Sequence, residues 1–99
     1  MFELTGFQRD LLYAIAALTR PSGQDIKERL TEITTLSDVN HGRLYPNLDV
    51  LVEHGYVAKG TLDRRTNYYE LSQKGVATIH DRRAWEDTHL EETDQMAPE

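Results

Sequence analysis

Ninety-nine residues, with 17 acidic and 11 basic side chains, a net charge of −6 and no cysteine, set the first limits. A chain this short forms one small domain that buries about two-thirds of its unfolded surface, so association would add to its stability. Lacking cysteine, it has no disulfide framework and no thiolate metal site; with no bilayer-length apolar run and no opening of a secretory signal, its expected location is the cytoplasm.

Thr5-Gly6-Phe7-Gln8 has the spacing of a capping box, with a hydroxyl at the cap and an amide three residues on. The helix it starts is predicted to run to about Thr19. Phe7, Leu11, Ile15 and Leu18 form one stripe, and Leu12, Tyr13, Ala14, Ala16 and Ala17 make the rest nearly apolar. A helix apolar most of the way round is buried on more than one side. Part of this surface is therefore expected to meet a second subunit, with Leu12 and Ala16 in that contact.

Pro21 stops the first helix, and Ser22-Gly23-Gln24-Asp25 gives a second capping signal. Ile26, Leu30 and Ile33 set the inner face of the second helix, with Lys27, Glu28, Arg29 and Glu32 outside. A polar connection follows over residues 34–40. A third helix beginning near Gly42 places Leu44, Leu48 and Leu51 on one side and stops at Gly55, a natural residue for the left-handed position after a helix. Pro46 is tolerable there because the first amides of a helix have no helical partner.

The sides of this third helix away from the core carry Gly42, Arg43, Pro46 and Asn47. An arginine can donate two hydrogen bonds to guanine, and an asparagine can pair with adenine or with a phosphate. These are the groups of a recognition helix, here Arg43 and Asn47. Asn40 and His41 stand where they either bond phosphate or cap the helix. Tyr45 flanks the apolar stripe, so its ring can pack while its hydroxyl reaches a phosphate.

Residues 56–61 and 66–71 read as two strands, with Tyr69 and Leu71 on one face of the second and Tyr68 and Glu70 on the other. Leu62-Asp63-Arg64-Arg65 joins them without an Asn-Gly or Asp-Gly pair, so a hairpin looser than a two-residue turn is expected. Arg64 and Arg65, beside Thr66 and Asn67, suit a minor groove or its phosphates. Ser72 caps a fourth helix over residues 73–90. On it Val76, Ile79, Arg83 and Leu90 fall along one stripe, and Trp85 falls opposite with Thr78, Arg82 and His89. Two apolar sides imply two contacts, one within the chain and one across a dimer that includes Ile79, Trp85 and His89.

Residues 91–99 are polar and acidic and are expected to be disordered. From Glu86 onward there are six acids and no Lys or Arg, which leaves 11 acids against 11 bases in residues 1–85. The acidity is thus largely a property of the tail. It fits a solvated tail that keeps the protein soluble, and equally an adaptation to a high-salt cytoplasm, given three lysines in the chain (Lys27, Lys59 and Lys74).

Catalysis has little support. The four histidines show no metal-ligand spacing, Ser22, Ser37 and Ser72 occupy caps and loops, and no Gly-rich phosphate loop follows a strand. No metal or cofactor is expected. The order helix, helix, helix, strand, basic turn, strand, helix is a winged helix-turn-helix, an α+β fold that is mostly α. Its expected division is a winged-helix domain over 1–72, a dimerisation helix over 73–90 and the tail over 91–99.

Gly42-Arg43-Leu44-Tyr45-Pro46-Asn47-Leu48, then Leu51, then Gly55-Tyr56-Val57, resemble the PadR family of transcriptional regulators. So does the block from Arg64-Arg65-Thr66-Asn67-Tyr68-Tyr69-Glu70-Leu71 to Ser72-Gln73-Lys74-Gly75, where Ser72 stands for the usual Thr and keeps a capping hydroxyl. The resemblance covers roughly residues 7–80. It implies a homodimeric DNA-binding repressor whose first and last helices form the dimer. Some members stack aromatic ligands between C-terminal helices, which would give Trp85 a ligand role. This chain keeps one moderate C-terminal helix, the short-tailed type, which argues against a large ligand-sensing addition; a small-molecule inducer stays open, without support in its residues.

Two functions compete. In the first, a dimer binds double-stranded DNA at a pseudo-palindromic operator and blocks polymerase. In the second, favoured by the acidic charge, the winged helix is a protein-interaction module without DNA binding. Arg43 together with Arg64 and Arg65 discriminates them, because a docking module has no need of all three on one face.

Overall fold

The computed structural model describes residues 3–33 and 39–91. Helices α1 (Gly6–Ala16), α2 (Gly23–Ile33) and α3 (His41–Glu53) are followed by strands β1 (Val57–Thr61) and β2 (Asn67–Leu71) and by helix α4 (Gln73–Glu91). This is the predicted order and the predicted winged helix, mostly α.

Local chemistry starts each helix. The Gln8 amide N–H donates to the Thr5 hydroxyl, and the Thr5 N–H donates to the Gln8 side-chain carbonyl, both at 3.1 Å. Ser22 and Asp25 exchange the same reciprocal bonds at 3.0 and 3.1 Å, which starts α2. The Asn40 side chain accepts from the Arg43 N–H at 2.9 Å to cap α3. At the other end of α3, Gly55 takes φ +81°. The N–H groups of Gly55 and Tyr56 return to the carbonyls of Val52 and Leu51. That pairing satisfies carbonyls a helix end otherwise leaves open.

Helix α1 stops at Ala16, short of the expected Thr19. Pro21 disfavours helical backbone in the residue before it, and Arg20 instead takes φ 45°. The chain then turns to lie along β2. The Pro21 carbonyl accepts from the Tyr69 N–H at 2.9 Å, and Ser22 bridges to Tyr68. The Arg20 guanidinium sits 4.9 Å over the Tyr68 ring and 3.7 Å from the Glu70 carboxylate. The link between α1 and α2 thus pairs with β2 at a single bridge.

Strands β1 and β2 are antiparallel, with Val57 opposite Leu71 and Gly60 opposite Tyr68. They begin one residue later than predicted. The connecting loop is the loose kind expected, closed by the Leu62 N–H on the Thr66 carbonyl at 2.8 Å. The core lies where the three helices meet the sheet: Leu11, Leu12, Ile26, Leu30, Leu44, Leu48 and Leu51 are fully buried, joined by Phe7, Tyr56 and Tyr69. Leu12 therefore corrects an expectation. It is enclosed by the chain's own core and offers no surface to a second subunit.

Helix α4 is tethered at its start. Ser72 accepts from the Gly75 N–H at 3.1 Å and donates to the Gly55 carbonyl. Among the described residues of α4, Gly75 is the buried one; a β-carbon there would lie 2.2 Å from the Tyr56 carbonyl oxygen. The helix runs to Glu91, one residue past the expected end. The remaining tail, the connection 34–38 and the side chain of Ile33 lie outside the described residues, so the readings of a disordered tail and of Ile33 as an inner residue fall there too.

Candidate nucleic-acid interface

Turning 100° per residue, α3 separates three surfaces. Leu44, Leu48 and Leu51 face the core. Opposite them lie Gly42, Pro46, Asp49 and Glu53, all exposed. Arg43 and Asn47 form the flank toward α1, and His41 and Tyr45 form the flank toward α2 and the wing.

The α1 flank is held from within. The Arg43 guanidinium lies 4.0 Å over the Phe7 ring. Half-buried Asn47 has both ends of its amide engaged: its oxygen accepts from Gln8 at 3.0 Å and its nitrogen donates to the Arg43 carbonyl at 2.7 Å. Gln8 in turn accepts from Thr5. A continuous run of hydrogen bonds therefore links the cap of α1 to the first turns of α3. Gln8, expected from its spacing only to cap α1, thus has a second role that no local signal marks.

The other flank leads to the wing. His41 and Tyr45 stack with ring centroids 5.4 Å apart and an interplanar angle of 4°. The Tyr45 ring lies so close to Gly23 that a β-carbon there would sit 2.4 Å from the phenol oxygen. Gly23 is thus needed for the ring to cover the N-terminus of α2. Ser22, Gly23, Gln24, Tyr45, Arg65, Thr66, Asn67 and Tyr69 line one open cleft of about 440 Å³. Tyr69, also in its lining, has its phenol pushed above the usual value by burial. Arg64 and Arg65 are exposed at the wing tip, where the Arg65 N–H donates to Asp63 at 2.9 Å and shapes the turn. Asn40 acts as a cap, and of Thr66 and Asn67 the first is half-buried and the second exposed.

The structure thus brings Tyr45, Arg65, Thr66 and Asn67 to one cleft, with His41 stacked on Tyr45, and puts Arg43 and Asn47 on the far flank of α3. Such a surface can accept phosphates through helix-terminal N–H groups, hydroxyls and guanidinium groups. Among the described residues no group of three or more His, Cys, Asp or Glu is placed to hold a metal ion, and no helix is long and apolar enough to cross a membrane.

A second surface lies away from this one, on α1 and α4. Tyr13, Val76, Trp85 and Leu90 are large apolar side chains left exposed. The Trp85 ring packs on His89 with centroids 4.1 Å apart and lies under the Arg82 guanidinium at 4.2 Å. His89 Nδ1 is 2.7 Å from the Trp85 carbonyl. Tyr13, Arg83, Trp85 and Leu90 border one hollow, so Trp85 and Leu90 share a surface where the helical wheel separated them. Burial raises the Tyr13 phenol above its usual value, with the Glu86 carboxylate adding to it. Ala16 is exposed beside half-buried Ile79, and both line an apolar groove between α1, β2 and α4.

The sequence profile of the transcriptional regulator PadR-like family matches residues 11–81. No curated protein matches the chain. Among solved structures, RosR of H. salinarum, crystallised from NaBr, is 41% identical with a TM-score of 0.82, covering 88% of this chain and 77% of that one. A complex of the same protein, RosR-S1, gives 41% identity and a TM-score of 0.83 over 89% of this chain and 77% of the other. A cysteine-substituted MarR from E. coli, in complex with operator DNA, shares the fold at 24% identity and a TM-score of 0.71, covering 97% of this chain and 66% of that one.

Proposed function

The chain belongs to the PadR-like family of transcriptional regulators, and from that premise we propose that it is a cytoplasmic repressor binding a pseudo-palindromic operator as a homodimer. The observation that carries this reading is the single cleft shared by the N-terminus of α2, Tyr45 of α3 and the wing residues Arg65 to Asn67. The first turns of α3 enter the major groove. The cleft receives the backbone beside it, with His41 and Tyr45 on phosphates. Arg64 and Arg65 grip the flank, aided by Thr66 and Asn67.

Magnitudes assign the two polar residues on the α1 flank to different roles. An exposed cation–π contact is worth about 0.5–1 kcal/mol, whereas a bidentate arginine–guanine pair is worth about 1–3 kcal/mol. Arg43 therefore leaves Phe7 for a base. Asn47 has two hydrogen bonds already, and exchanging them for two to adenine gains little; it positions α3 rather than reading sequence.

The dimer forms through α1 and α4, with Ala16, Ile79, Trp85 and His89 in or beside the contact. The support is the exposed apolar set on those helices in so small a domain. A dimer seated on a promoter excludes polymerase. The low lysine count and net charge of −6 favour a high-salt setting.

Asp49 and Glu53 on the outer face of α3 are the observation that favours the alternative, a docking module for a basic protein. Selection of bound fragments from genomic DNA at several salt concentrations separates the two. Enrichment of a two-fold symmetric site supports the repressor. Recovery of no sequence at any salt concentration leaves the docking module.

A further inference from the structure

The part of α3 that stands furthest from the core carries no hydrogen-bonding side chain in its first turns. It is formed by Gly42 and Pro46, both exposed and one turn apart. The polar side chains beside them are turned to the flanks: Arg43 over Phe7, Asn47 onto Gln8, and His41 onto Tyr45. What leads along this outermost line is therefore the carbon edge of a pyrrolidine ring, with Arg43 reaching its base from the flank. Gly42, one turn before it, adds no side chain on its N-terminal side.

Pro46 has no packing reason to be there. It is the sixth residue of α3, inside the helix, and lacks the N–H that the Gly42 carbonyl would accept from. Its ring is exposed and makes no return in the core. Asp49 and Glu53, on the same face further along, repel phosphates and direct the N-terminal end of the helix inward.

We propose that Pro46, with Gly42 beside it, is a specificity-determining residue that reads the 5-methyl group of a thymine in the major groove. This rests on the DNA-binding reading above and deepens it. The methyl group of thymine is the one apolar substituent among the major-groove edges, where the other bases present donors and acceptors beside bare C–H. A proline ring set against guanine, cytosine or adenine strips water from polar atoms and offers them no partner. Against thymine it buries carbon on carbon. The contact releases no counterions, so it keeps its strength as salt rises, unlike the wing contacts.

The test uses the full-length protein and the duplex it selects from genomic DNA. Each thymine is replaced in turn by deoxyuridine, which removes the methyl group and leaves base pairing intact. One position in each half-site is expected to lose about fourfold in affinity, the factor that corresponds to about 0.8 kcal/mol for one buried carbon. Pro46→Ser is expected to bind thymine and deoxyuridine duplexes equally at that position, and Pro46→Ala to show a reduced difference. Thermal melting of both variants checks that they fold, and the gain of a helical amide makes loss of folding unexpected. No sensitive thymine, or one that stays equally sensitive in Pro46→Ser, overturns the proposal. Failure of the wild-type protein to bind any duplex is a different result: it overturns the DNA-binding reading, and this one with it.

Discussion

The α3–wing side and the α1–α4 side of this molecule solve opposite problems. On the first, one continuous run of hydrogen bonds braces the first turns of α3 from within the chain, from Thr5 through Gln8 and Asn47 to the Arg43 carbonyl. On the second, Val76, Trp85 and Leu90 stand 43, 38 and 63% exposed on a helix with one described buried residue, Gly75. A surface that must meet a ligand in one geometry is braced before the ligand arrives. The second surface is left with carbon facing water, as the proposed contact with a second copy requires. Under the proposed dimer, the contrast is a division of a small chain's residues between shaping a site and gaining stability by association.

The largest test of this division is Gly75→Ala. The added carbon would meet the Tyr56 carbonyl oxygen at 2.2 Å, and overpacking against backbone costs about 1–3 kcal/mol or more. Chemical denaturation should show that loss. An unchanged midpoint would mean that α4 is not anchored where the two sides join. Arg43→Ala comes next and acts on binding. Affinity for the selected site should fall roughly tenfold or more, with discrimination relaxed at one base, while the melting temperature moves little. A variant with full affinity and full site preference would leave Arg43 as packing on Phe7.

Trp85→Ala probes the other side. It should shift the sedimentation profile toward monomer at micromolar protein without lowering the stability of the monomer itself. Tryptophan emission of the wild type should move red on dilution. Emission that does not change with concentration would place Trp85 outside the contact.

The smallest expected effect is a pH dependence that belongs to neither side. The Tyr56 hydroxyl donates to Glu3 at 2.7 Å. That bond is the main reason the Glu3 carboxyl is lowered from 4.5 to about 2 and the Tyr56 phenol is raised above 10. A lowered carboxyl stabilises the fold above its unfolded value, and that contribution is lost as pH falls from 4.5 toward 2. A raised phenol contributes fully below its unfolded value and loses its share as pH climbs past 10. Glu3→Gln should flatten the acid limb of a stability titration. An acid limb identical to the wild type would show that the pair is not formed in solution.

Much of the fold is legible in the sequence because its signals are local. Thr5 with Gln8, Ser22 with Asp25, Asn40, Gly55 and Ser72 each act within a few residues of where they stand, and each marks the helix boundary it predicts. The apolar stripes of α2 and α3 are legible for the same reason. What periodicity cannot give is the neighbour across space. It places Asn47 on the outer sides of α3, but not against Gln8, 39 residues away. It marks α1 as apolar all round, but not that Leu12 points into the chain's own core while Tyr13 and Ala16 remain outside. The partnership of Gly23 with Tyr45 is likewise invisible until two helices are packed together.

The outer half of α4 has a consequence for time rather than for contact. A helix with little buried surface draws its persistence from whatever covers it, since a few turns alone are marginal in water. From Arg83 to Glu91 the described residues of α4 are exposed. Amide hydrogens there should exchange with solvent far sooner than those of α3, and their lifetimes should lengthen as protein concentration rises. The far end of this helix would then register how many copies of the molecule surround it.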